Sequence, residues 1–161
     1  MTGLTTLGIF HTLFGGVALI CGFWALLRYR EILLSNRPGQ LYLLATLITA
    51  LTSLGIFQHG GFGLPHALAI LTLAALATGT LAAVSRLFGG KSRMVQATAY
   101  SSTILFHLIP GFTESLTRLP PANPLVASQD APVFKLIYGI LLLIFLIGLT
   151  LQLRWQGTSK I

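Results

Sequence analysis

MVQATAYSSTILFHLIPGFTES, residues 94–115, is apolar enough to lie in lipid, yet its polar side chains are not scattered. Gln96, Tyr100, Thr103, His107, Gly111 and Glu114 step by four, three, four, four and three. At about 3.6 residues per turn, that spacing places all six on one face of a helix. A helix in hydrocarbon with one polar stripe must turn the stripe inward, because lipid offers no hydrogen-bonding partner. The remaining segments are read as what surrounds this stripe.

Composition supports that setting. Of the 161 residues, 54% are hydrophobic and 8% charged, with three acidic side chains in all. A soluble domain carries about a quarter charged residues. The expected class is therefore an all-α integral membrane protein, one transmembrane domain over residues 1–161. The net charge of +7 does not imply nucleic acid as a partner. The basic residues lie between apolar runs and at the C-terminus, where they orient helices against a bilayer. The single cysteine, Cys21, excludes an intrachain disulfide and reads as a small apolar filler.

Five runs are long enough for a hydrocarbon core of about 30 Å, which takes roughly 20 helical residues. They cover about 4–27, 41–59, 65–88, 95–113 and 133–154. The first is too long for a signal-peptide core and lacks its positive leader, so it reads as a retained helix. Arg28, Arg30 and Arg37 follow span one, Arg86, Lys91 and Arg93 follow span three, and Arg154 and Lys160 follow span five. The positive-inside rule then puts the N-terminus outside and the C-terminus in the cytoplasm of a bacterial inner membrane. Lys135 dissents from the outer end of span five, where snorkelling accommodates it. Spans one to four read as a pseudo-twofold four-helix bundle, with span five added. Small residues give two close-approach ridges: Ala75, Gly79 and Ala83 in span three, and Gly15, Ala18 and Gly22 below His11 in span one. The second ridge reads either as helix contact or as a shallow groove for a flat ligand.

In this topology all four histidines fall in the outer half of the membrane. His11 and His107 lie deeper, on helices running in opposite directions, while His59 and His66 flank the turn HGGFGLPH. Three readings follow. In the first, His11 and His107 are axial ligands of haem b, with Gly15 giving the macrocycle room and Tyr100 and Thr103 lining the site; the protein then carries electrons from a quinol to an outer-side redox partner. In the second, His11, His59, His66 and His107 with Glu114 bind a zinc, copper or iron ion, each ligand coming from a different element. In the third, the stripe is interhelical glue in an accessory or assembly subunit, acting in a homo-oligomer or a larger membrane complex. Ser101, Ser102 and Ser115 have no Ser-His-Asp arrangement, and no glycine-rich phosphate loop occurs.

GIFHTLFGGVALICG (residues 8–22) and NRPGQLYLLATLITALTSLGIF (residues 36–57) resemble a group of uncharacterised small bacterial membrane proteins with a first-helix histidine before glycines and a Gly-x-x-Tyr helix start. The resemblance covers roughly the first four spans and implies the architecture, with His11 as the shared residue. Where that group has His-Arg pairs, this chain reads Asn36-Arg37 and Ser92-Arg93. The bundle plan is also similar to that of small di-haem cytochromes of the b561 type, whose four ligands in both leaflets have no counterpart here.

Overall fold

A computed structural model describes residues 5–57, 61–85 and 87–158. Among them are five α-helices and no strand: α1 (Thr6–Tyr29), α2 (Arg37–Ser53), α3 (Leu64–Val84), α4 (Ser92–Arg118) and α5 (Val133–Thr158). Local chemistry fixes the starts. The Thr5 hydroxyl accepts from Gly8 N at 3.1 Å, and Asn36 Oδ1 accepts from Gly39 N at 2.8 Å. Each satisfies an amide that the first helical turn leaves without a partner. Pro38 and Pro65 occupy the first turns of α2 and α3, where the missing N–H costs nothing.

The helices differ from the expected spans mainly at their ends. α2 begins four residues earlier than expected and stops at Ser53, where the 41–59 reading continues. The Thr49 and Thr52 hydroxyls fold back on the Ala45 and Ile48 carbonyls, a bonding that competes with regular helix. Gly55 N and Ile56 N then close tight turns on Thr52 O and Ser53 O. α3 ends at Val84, its next residue already extended. α4 instead runs through Pro110 to Arg118, five residues past the expected end.

α1, α3 and α5 are each long and apolar enough to cross a membrane. α2 has 17 residues, and α4 carries the polar stripe, so neither is as apolar over a full crossing length. α1 packs along α2, α3 along α4, and α2 against α3; α5 leans on α4, and a smaller contact joins α1 to α4. The core gathers Ala18, Cys21 and Ala25 from α1, Tyr42, Leu43 and Ala45 from α2, Leu76 from α3, and Tyr100 and Ile104 from α4. Leu136, Leu143, Ile144, Ile147 and Leu151 of α5 are exposed, as are Leu13, Ile20 and Leu27 of α1. Apolar surface of that extent is suited to a lipid bilayer and not to water.

The two small-residue ridges act as helix contacts. A Cβ on Gly22 would stand 2.7 Å from Tyr42 Cδ2 and 3.1 Å from Ile104 Cδ1, so α2 and α4 approach α1 there. Gly79 lies under the Tyr100 ring in the same way, whereas Ala83 of that ridge is exposed.

Candidate functional site

The polar stripe of α4 meets a second stripe on α2. Tyr42, Thr46, Thr49 and Thr52 step by four, three and three, and so share one face of α2. His107 Nε2 lies 3.1 Å from Thr46 Oγ1, with the Tyr42 ring edge-on to the imidazole at a centroid distance of 6.4 Å. From α1, His11 Nδ1 lies 3.1 Å from Thr49 O and 3.2 Å from Thr52 Oγ1. A carbonyl only accepts, so Nδ1 carries the proton and neutral His11 has a bare lone pair on Nε2. His11 is half-buried and His107 is buried.

A buried relay continues inward. Thr103 Oγ1 donates to Tyr100 O at 2.7 Å, so its oxygen remains to accept from the Tyr42 hydroxyl in a short hydrogen bond. Tyr42, Tyr100 and Thr103 are wholly buried. The Tyr100 hydroxyl turns the other way, to Thr80 Oγ1 of α3 at 3.0 Å. Every helix of the first four is thereby joined to another by at least one hydrogen bond between polar side chains or from a side chain to backbone.

The expected site residues separate into groups. His11, His107, Tyr100 and Thr103 come together around α2, while Gly15 faces Thr49 Cγ2, where a Cβ would have 3.7 Å. The groove expected below His11 is filled by α2 side chains, Thr49 beside Gly15 and Tyr42 against Gly22. His66 stands apart at the start of α3, between Phe57 and Phe62 at centroid distances of 4.6 and 5.3 Å. Its Nδ1 accepts from Gly63 N at 3.2 Å, and its buried Nε2 has no hydrogen-bond partner. Glu114, partly exposed, pairs with Arg118 one turn along and accepts from Gln129 Nε2 at 3.0 Å. His59 lies outside the described residues. Among the described residues, no three His, Cys, Asp or Glu side chains converge as a metal ion requires.

The threonines of α2 were absent from the expected site. Their four-three-three spacing is visible in the sequence, but threonine is so often a neutral packing residue in apolar helices that the pattern does not stand out. The ends of the α4 stripe also behave differently from its middle: Gln96 Nε2 donates to Ile32 O at 3.3 Å, and Gly111 is exposed. No family model, curated protein or solved structure matches this chain.

Proposed function

We propose that the chain is a five-span membrane protein, N-terminus outside and C-terminus in the cytoplasm, whose outer-half polar seam fastens its helices together in an accessory or assembly role. α2 and α4 complete the five spans: 17 residues of α2 rise about 25 Å, and the middle of the α4 stripe, Tyr100, Thr103 and His107, is buried against the other helices. One observation carries this reading. Both deep histidines are engaged by α2, His107 by the Thr46 hydroxyl and His11 by the Thr49 carbonyl and Thr52 hydroxyl. Buried polar groups satisfied in this way act as interhelical fasteners in lipid.

A second reading, the haem-b redox protein, has one specific observation in its favour. His11 is oriented by a backbone carbonyl so that Nε2 is presented as a lone pair, which is how a ligating imidazole is held. His107, which meets the same face of α2, would be the second ligand, and haem would supply one-electron transfer. Against it stand the contact of His107 Nε2 with Thr46 and the side chains of α2 in the groove.

The absorption spectrum and metal content of the purified protein separate the two. The fastening role predicts colourless, metal-free protein whose His11→Ala and His107→Ala variants melt a few degrees lower. A Soret band that sharpens on reduction and vanishes in His11→Ala would overturn it in favour of the cytochrome. Stoichiometric zinc or copper, or iron without a Soret band, would overturn both.

A further inference from the structure

At the end opposite the histidines, the chain leaves α1 through Arg30, held at φ 60. Its guanidinium carbon lies over the Trp155 ring of α5, 5.4 Å from the centroid. Arg93 of α4 reaches the same ring at 5.3 Å and pairs with Glu31, its Nε lying 3.1 and 3.2 Å from the two carboxylate oxygens. Glu31 is buried and matched by Arg93, so Arg28, Arg30 and Arg154 leave this end with a positive excess. Between α1 and α5 opens a cleft of about 270 Å³, lined by Leu26, Arg30, Leu151, Gln152 and Trp155. Gln152 is engaged at both ends, donating to Arg30 O and accepting from Ser101 Oγ, each at 2.8 Å. The Arg30 guanidinium is therefore the charge that an occupant of the cleft would meet.

We propose that this cleft seats an anionic phospholipid, its phosphate on Arg30 and an acyl chain along Leu26 and Leu151. Three features select that occupant. The cleft has one cationic end and apolar walls, matching a charged headgroup on a hydrocarbon chain. Its walls run into the exposed apolar faces of α1 and α5, Leu27 and Leu151 among them, which hydrocarbon would cover. Arginine and tryptophan also meet at a helix end, the level at which both sit in a membrane interface. The proposal requires only that α1 and α5 lie in a bilayer; it does not depend on what the histidine seam does.

The test titrates the protein, purified in neutral detergent, with phosphatidylglycerol or phosphatidylcholine and follows its melting temperature. Phosphatidylglycerol should raise it, with apparent affinity roughly fivefold above phosphatidylcholine for the single arginine contact. Arg30→Gln should abolish that preference and Arg30→Lys retain part of it. Lys135→Ala, at the far end of α5, and His107→Ala, in the seam, should leave it unchanged. Leu151→Trp, which fills the cleft with Arg30 still present, should abolish the shift and keeps the proposal open to refutation if Arg30→Gln does not fold. Equal shifts from both lipids, a preference that survives Arg30→Gln or Leu151→Trp, or the same shift from inorganic phosphate alone would overturn it.

Discussion

Tyr42 shows how one side chain can tie three helices. Its ring packs on Gly22 of α1, its hydroxyl bonds Thr103 of α4, and its edge meets His107. The contact with Gly22 permits no added methyl. Gly22→Ala would push a Cβ to within 3 Å of the ring, and overpacking of that kind costs about 1–3 kcal/mol. Unfolding in mixed micelles by SDS titration should show that loss, while Gly16→Ala, where a Cβ meets nothing within 4 Å, should be neutral or stabilising. The middle of the α4 stripe was legible at this scale: Tyr100, Thr103 and His107 are all buried, as a polar face in lipid requires. Their partners were not, because periodicity within one helix says which face turns inward and nothing about which residue of another helix receives it.

α4 is the element on which the others converge, packing with α3, α5 and α1. Its ends answer to different physics from its middle. At the start, Arg93 neutralises Glu31, a carboxylate only 3% exposed in the turn after α1. Arg93→Ala would leave that carboxylate buried and unmatched. Losing one partner of a buried pair costs about 3–5 kcal/mol, and Arg93, its side chain 39% exposed, sets the expectation near the low end. Paired removal by Glu31→Gln with Arg93→Gln should cost clearly less than Arg93→Ala in the same titration. Equal losses would mean that the ion pair contributes nothing beyond the packing of Arg93 on Trp155. At the far end, Glu114 turns to Arg118 and Gln129, which the stripe alone did not foretell. A glutamate four residues before an arginine has a local partner available on its own helix, and that contact wins once the helix leaves the core. The short α2 had a similar cause: hydroxyls that bond their own helix backbone end it earlier than apolar content alone suggests.

For the whole molecule, the apolar exterior was plain from composition, and the five helices from the lengths of the apolar runs. The proposed orientation rests on charge. Arg28, Arg30, Arg37, Lys91 and Arg93 crowd the ends of α1, α2 and α4 that face one way. Because Cys21 is the single cysteine, a Cys21→Ala background allows each end to be labelled separately. Gly90→Cys, before α4, should resist a membrane-impermeant maleimide on intact spheroplasts and react after lysis. Asn123→Cys, between α4 and α5, should react without lysis; the reverse pattern would invert the topology. The claim on which the functional reading depends is that the histidines bind α2 and not a cofactor. A double-mutant cycle of His107→Ala and Thr46→Val, read by SDS titration, tests it most directly. The account predicts a coupling of about 0.5–2 kcal/mol between the two sites, and strictly additive losses would contradict it.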